Sequence, residues 1–439
     1  MSESAAEADL KEENVARLGP RQVPIPDDWE AVPFEEAIEL NPSYEKPDEG
    51  PFDYLPMDAV DEGMQSIEYW DQREKEDCTT TWFKNGDTVY AKITPCTENG
   101  KIAFIEDLST EVGSGSTEFL VFHPREDVTN ERFVYYLVNL PEFRAVTISL
   151  MEGSTGRQRV PTDVFSGGLE VPLPPLPEQR RIADVLSTID ERIQETHQNI
   201  DRTEELRQGL LQELIIGRGI ADEYKEVRLG AKSEQVPVDW DIKTFSDIAD
   251  VEKGNTPKTS NEDYYGGDIT WVTPDDLSGL YERGEKYISD SDRKLTPEGL
   301  NSTSVNIVDA PSVMFTSRSY GIGKTAICTT PAATNQGIIA FHCGDEMGEE
   351  YLYYYLNYIM PYIISISGVS TFPEVSLTDI RELKVPVPTE SDRQYIENIL
   401  TSAEDKLVDE KDTKQTLQEL KRGLMQDLLT GKRRLDTDA

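Results

Sequence analysis

Residues 172–217 read PLPPLPEQRRIADVLSTIDERIQETHQNIDRTEELRQGLLQELIIG: a proline-rich strand exit, then one long helical pattern ending at a glycine. The same plan returns at 386–431, opening PVPTESDRQYIENIL and closing LKRGLMQDLLTG. Ile182 matches Ile396, Leu186 matches Leu400, Leu210 matches Leu424 and Gly217 matches Gly431, a constant offset of 396 − 182 = 214 residues. Self-similarity of this kind decides the architecture before any single element is assigned. The chain is two copies of one plan.

Working outward, the stretch before each copy also repeats. Leu18, Gly19, Pro26, Asp28 and Trp29 line up with Leu229, Gly230, Pro237, Asp239 and Trp240, and the two tryptophans read as core anchors. Phe34, Ala37 and Ile38 recur as Phe245, Ile248 and Ala249, the apolar side of a short helix. Between this opening and the long helix, alternation predicts strands at 86–95, 101–106, 118–123 and 169–173, with a helix carrying Phe133, Tyr136, Leu137 and Leu140. A loop is expected at 152–159. The second copy has the same order, with strands at 310–318, 323–328, 336–342 and 383–387, a helix carrying Leu352, Tyr355, Leu356 and Ile359, and a loop at 367–373. Segment 252–309 matches 39–85 only loosely, so the framework repeats while the inserted parts differ.

The two helical patterns need a partner. Ile182, Leu186, Ile189, Ile193, Ile200, Leu206, Leu210 and Leu214 follow three–four spacing, with a phase shift near Thr203. Ile396, Leu400, Ala403, Leu407, Leu417, Leu420, Leu424 and Leu428 do the same. An apolar stripe flanked by charge asks for another helix. Pairing the two within one chain, antiparallel, satisfies both. Each helix would run about 58 Å at 1.5 Å per residue. Coiled segments on their own are also compatible with simple dimerisation.

Composition bounds the rest. The 439 residues suffice for two or three domains. A net charge of −41 argues against non-specific attraction to nucleic acid or anionic membranes. It suits a halophilic protein kept in solution at molar salt, where the Debye length is about 3 Å; an acidic mimic of DNA is the competing idea. Cys78, Cys96, Cys328 and Cys343 lack CxxC spacing, so neither a disulfide framework nor a zinc site is expected. With three histidines, no metal site is expected. No signal peptide and no apolar run of about 20 residues is present, which points to a cytoplasmic protein.

With both copies in view, the chain resembles the specificity subunit of type I restriction-modification systems, from Leu18 to Gly431. The resemblance rests on PLPPLPEQRRIADVL at 172–186, the ending LLQELIIGR, the second copy PVPTESDRQYIENIL, and the two-copy plan. The second copy departs at Ser391-Asp-Arg-Gln394, where the first has Pro177-Glu-Gln-Arg180. The fold implied is α+β: two α/β target-recognition domains separated by two long antiparallel coiled-coil helices, a pseudo-twofold internal repeat. The expected boundaries are a disordered acidic tail at 1–14, recognition domain 1 at 15–176, spacer helix 1 at 177–217, recognition domain 2 at 218–388 with a linker at 218–226, spacer helix 2 at 389–432, and a tail at 433–439.

The function implied is sequence-specific binding of a bipartite duplex site by a non-catalytic chain. Methylation subunits and restriction (motor-nuclease) subunits would assemble on it, bringing S-adenosylmethionine, ATP and Mg; this chain would bind no cofactor itself. Arg and Lys read guanine, and Asn and Gln read adenine. The candidates in the first domain are Lys92, Lys101, Arg157, Gln158 and Arg159. In the second they are Arg318, Ser319, Tyr320, Lys324, Asn335 and Gln336, with Ser370 and Thr371 on phosphate. The family's strand-loop-strand pattern ending in Gly-Lys falls at Gly100-Lys101 and Gly323-Lys324. Solvated loop charge is the plain alternative for each residue, and an acidic mimic or coiled-coil adaptor without DNA binding is the alternative for the chain. Gly323-Lys324-Thr325 lacks the first glycine of a phosphate-binding loop, and Asn41-Pro-Ser-Tyr44 resembles an amino-methyltransferase tetrapeptide without its glycine-rich companion. No catalytic set is evident.

Overall fold

The computed structural model describes residues 6–7, 14–18, 21–48, 50–63, 65–154, 156–303, 305–318, 321–344, 347–367 and 373–435. The chain forms two compact units that interleave along the sequence. Unit 1 holds residues 1–198 and 412–439, and unit 2 holds 199–411.

In unit 1, strands β1 (Ile38–Leu40), β2 (Thr88–Ala91), β3 (Ile102–Phe104) and β4 (Phe119–Pro124) make an antiparallel sheet in the order β3-β2-β4-β1. Every residue of β2 is buried, so the strand is apolar on both faces rather than alternating. Helix α1 (Glu131–Asn139) covers this sheet. It starts where the Asn130 side chain accepts from the Phe133 amide at 3.0 Å. The expected loop at 152–159 is instead a two-stranded hairpin, β5 (Glu152–Ser154) and β6 (Arg157–Arg159). The eight residues carry no alternation, and the hairpin is made by cross-strand pairing, with Gly153 at φ 130°. The core gathers Phe34, Tyr90, Phe122, Phe143 and Phe165, with Phe34 and Phe165 ring centroids 5.1 Å apart.

The long helix α2 (Leu176–Leu214) runs from unit 1 into unit 2. Unit 2 repeats the sheet with β7 (Ala249–Lys253), and then helix α3 (Pro274–Arg283) and strands β8 (Tyr287–Ile288), β9 (Ser312–Thr316), β10 (Thr325–Cys328) and β11 (Ile338–Cys343). Its order, β8-β10-β9-β11-β7, contains the unit 1 order with β8 added parallel at one edge. Helix α4 (Glu349–Ile366) takes the place of α1. The loosely matched inserts are also related. Both have a strand in a parallel pairing outside the main sheet, Phe52–Leu55 with Gly113–Gly115 and Tyr265–Val272 with Ala333–Thr334.

Helix α5 (Glu390–Leu428) returns through both units. In unit 1 its end, at Met425, Leu428 and Leu429, joins a core with Ile182 and Leu186 from the start of α2. In unit 2 its start, at Ile396 and Leu400, joins a core with Leu211, Ile215 and Ile216. Start meets end in each unit, so the helices are antiparallel as expected. An ion pair marks the repeat. Asp190 Oδ1 meets Lys421 Nζ at 2.7 Å, and the matched positions, 190 + 214 = 404 and 421 − 214 = 207, give Glu404 to Arg207 at 3.8 Å.

Of the expected seam residues, Ile182, Leu186, Ile193, Ile396, Leu400 and Leu407 are buried, and Ile189, Leu210 and Leu424 are partly buried. Leu206 and Leu420, expected in the stripe, are 55% and 49% exposed. The stripe passes through Arg207 and Lys421 one residue on. Their aliphatic stems fill the position while their charges reach a carboxylate. Thr203, where the pattern shifted phase, is buried.

Candidate nucleic-acid interface

The tryptophans are fixed first. Trp29 and Trp240 are buried, and their indole N–H groups donate to Glu178 at 3.1 Å and to Asp392 at 2.9 Å. These carboxylates sit at matched positions in the first turns of α2 and α5. The substitution of Ser391-Asp-Arg-Gln394 for Pro177-Glu-Gln-Arg180 therefore keeps the anchoring bond. Gln179 is also internal: its amide donates to the Val128 and Pro174 carbonyls and accepts from the Asn130 amide. Two residues of the LPEQR string thus join the first body to its helix, and Asp392 alone repeats the tryptophan bond in the second, a role the sequence did not disclose.

At one end of each sheet the backbones follow one pattern. In unit 1 the Ala91 amide donates to the Lys101 carbonyl at 2.9 Å, Lys92 to Glu118 at 2.9 Å, and Val160 to Lys92 at 2.8 Å. In unit 2 Thr316 donates to Lys324 at 3.0 Å, Ser317 to Gly337 at 2.7 Å, and Val375 to Ser317 at 2.8 Å. Lys101 thus corresponds to Lys324, Glu118 to Gly337, and Ile93 to Arg318. Gly100 and Gly323, at φ 78° and 101°, make the turn that precedes each lysine.

The side chains on this shared edge differ. In unit 1, β6 pairs Arg159 across from Ile93, so Arg157, Gln158 and Arg159 stand beside Lys92. Arg157 is exposed. Arg159 holds Glu118 in a bidentate pair at 2.9 and 2.6 Å, which keeps the Glu118 carboxyl below its usual range, aided by Lys92. Lys101 turns inward: its side chain is 12% exposed and its ammonium donates to the Met57 carbonyl at 3.1 Å.

In unit 2, Arg318 pairs across from Glu374 and lies with its stem over Gly337. Glu374 is bound by Lys253, which lowers its pKa. Lys324 extends to 5.9 Å from the Tyr281 ring centroid. Gln336 is exposed, whereas Asn335 is engaged internally, donating to Thr256 Oγ1 at 3.2 Å and accepting from the Gly337 amide at 2.8 Å. Arg318, Lys324 and Gln336 are therefore together at one sheet end. Ser319, Tyr320, Ser370 and Thr371 lie outside the described residues.

The two resembling motifs resolve into structure. Gly323-Lys324-Thr325 enters a strand, not a helix, so no phosphate cradle forms there. Asn41, at φ 50°, accepts from the Val121 amide at 3.0 Å, and the Tyr44 hydroxyl donates to fully buried Asp87 at 2.7 and 2.9 Å. That tetrapeptide is a folding corner. Among the described residues no group of three His, Cys, Asp or Glu side chains is arranged to hold a metal ion, and no helix is long and apolar enough to cross a membrane.

The units differ where body meets helix. Unit 1 has a cleft of about 670 Å³ lined by Trp70, Phe104, Tyr135, Arg132, Arg144 and Gln194 among others. In unit 2 Tyr354, the counterpart of Tyr135 when Tyr136 is matched to Tyr355, bonds Lys286 at 3.0 Å. Lys286 is 10% exposed and paired with Glu350 at 2.9 Å and Glu404 at 3.0 Å. Burial opposes its charge, but Glu404, Tyr354 and Glu350 outweigh that and raise its pKa above the ordinary lysine value.

The sequence pattern described as the type I restriction modification DNA specificity domain matches residues 26–205 and 237–422, and the chain belongs to this family. The Methanocaldococcus jannaschii protein named type I restriction enzyme MjaIX specificity subunit is 36% identical over 200 residues, 45% of this chain and 44% of that protein. The chain thus aligns with under half the length of that relative. A second protein of that organism, named as a putative type I restriction enzyme MjaX specificity subunit, is 22% identical over 94% of this chain and 95% of its own. A solved chain from a study of assembly and conformational transition in a type I restriction-modification system matches in fold, with a TM-score of 0.58, 20% identity, and coverage of 92% and 98%.

Proposed function

We propose that the chain is the sequence-reading subunit of a type I restriction-modification complex and has no catalytic activity alone. Each unit binds one half of a bipartite duplex site. The observation that carries this is the shared backbone edge with exchanged side chains, Lys92, Arg157, Gln158 and Arg159 in one unit and Arg318, Lys324 and Gln336 in the other. A common scaffold with different donors is what reading two different half-sites requires. Methylation and restriction subunits bind it in the cytoplasm and bring S-adenosylmethionine, ATP and Mg.

Base-edge contacts and apolar fit supply most of the affinity, since phosphate contacts weaken steeply with salt. The test is selection from a randomised duplex library by the full chain with its methylation subunit. Arg318→Ala with Lys324→Ala is expected to make one half-site degenerate, at about 5- to 150-fold weaker binding, and to leave the other intact. Equal loss at both halves, or no bipartite motif with the unaltered chain, refutes the reading.

A further inference from the structure

We propose that Tyr281 is a specificity-determining residue of unit 2. Its ring makes an apolar contact, insensitive to salt, with the half-site that this unit reads. The inference rests on the DNA-reading function above.

Helix α3 is built to present this ring. The Thr273 side chain and Asp276 form a reciprocal cap at its start, with Pro274 in the first turn, and Gly284 at φ 72° ends it. Leu277 and Leu280, 1% and 5% exposed, bury its inner face among Met314, Ala326 and Ile338 of the sheet. Tyr281, the next residue, is 68% exposed, more than any other large apolar side chain among the described residues. Tyr69 and Tyr287 are exposed too, but their hydroxyls are bound to Asp58 and Glu350.

Position makes the exposure informative. Lys324, on the reading edge, holds its ammonium 5.9 Å from the Tyr281 ring, within cation–π range. Pro274, at the start of the same helix, faces Gly337, over which Arg318 lies. The helix is therefore tied to the edge at both places. Unit 1 lacks this arrangement, because its corresponding lysine, Lys101, is bound to the Met57 carbonyl. The ring is thus a property of one half-site reader.

Charge explains why a ring is useful there. A chain of net charge −41 repels phosphate at low salt, and phosphate contacts yield little at high salt. An apolar contact does not weaken as salt rises. The major groove offers one strongly apolar feature, the thymine methyl group, and the ring suits it.

The experiment uses the full chain with its methylation subunit and a randomised duplex library, at low and at molar potassium chloride, with Tyr281→Ala, Tyr281→Phe and Lys324→Ala. Tyr281→Ala is expected to blur one half of the selected motif. It should bind the parent duplex about tenfold weaker at both salts, the size of one lost base contact. Tyr281→Phe should match the parent chain. Lys324→Ala, which removes a base-edge donor of the same unit, should blur the same half of the motif and lose more affinity at low salt than at molar salt. The proposal is overturned if Tyr281→Ala keeps the parent motif and affinity, if its loss vanishes at molar salt, or if both halves blur together. Absence of any bipartite motif with the parent chain overturns the DNA-reading function itself, a different result. Melting curves verify that each variant is folded.

Discussion

Replacing Arg434 by Ala tests how the chain end holds unit 1 together. The guanidinium binds Glu178 at 2.6 and 2.7 Å and Asp28 at 2.7 and 2.8 Å, 5.7 Å from the Trp29 ring centroid. Glu178 is 2% exposed, so the variant leaves a carboxylate in the interior with the Trp29 N–H as its remaining side-chain donor. Removing one partner of a buried pair costs about 3–5 kcal/mol. Arg434 keeps 27% of its side-chain surface, which favours the lower end, about 3 kcal/mol. Adding Glu178→Gln to Arg434→Ala removes the stranded charge and should recover most of that loss, although Glu178→Gln alone is destabilising.

Hydrogen exchange at residues 24–34 reads the opening energy of unit 1. Residues 236–246, where Asp392 binds Trp240 and Thr389 without an arginine, serve as internal control. Arg434 lowers the Asp28 pKa, so this stabilisation is present above the ordinary carboxylate pKa and is lost as pH falls through the depressed value. The variant should lose that acid-side slope. A loss under about 1 kcal/mol, or no recovery in the double variant, refutes the reasoning.

Three further outcomes are expected. Gly217→Ala and Gly431→Ala should each lower stability by about 2–3 kcal/mol in denaturant titrations: the glycines sit at φ 80° and 71°, and a methyl group would strike Pro237 in one unit and Pro26 in the other. Lys286→Met removes the cation between Glu404 and Glu350, leaving Arg207 and the Tyr354 hydroxyl on the first and the Tyr287 hydroxyl on the second, and should cost unit 2 about 2 kcal/mol by hydrogen exchange, less than an unpaired buried charge. Its raised pKa places the parent's stabilisation below the ordinary lysine pKa, lost as pH rises through the folded value, so melting curves of parent and variant should converge only at strongly alkaline pH. Glu118→Gln frees Arg159 and should tighten binding to one half-site about fivefold, the value of one bidentate surface pair, as read by fluorescence anisotropy; unchanged affinity refutes the idea that Glu118 competes with DNA.

The sequence disclosed what rests on short-range pattern and on repetition: the two-copy plan, both long helices, the sheet strands and the Gly-Lys turns. It was silent where partners are far apart in the chain. Trp29 and Glu178 are separated by 149 residues, and Glu118 and Arg159 by 41. The Gly-Lys spacing fixed the backbone at Lys101 and Lys324, yet one ammonium turns inward and the other toward a ring, because the decision belongs to Met57 and Tyr281, on inserts that match only loosely in sequence. The helix seam was misphased at Leu206 and Leu420 because a long cation can occupy an apolar stripe while its charge reaches a carboxylate. The hairpin at 152–159 was hidden because three-residue strands carry no period.

The interleaving of the two units makes them unequal in what they need from the later part of the chain. Residues 199–411 form an uninterrupted segment, and its largest core is drawn from residues within it, from Leu211 to Leu400. Unit 1 waits, although most of it is made first, because Met425, Leu428 and Leu429 complete its interior. A premature stop shortly before Met425 therefore damages the body encoded at the beginning of the message and spares the one encoded in the middle.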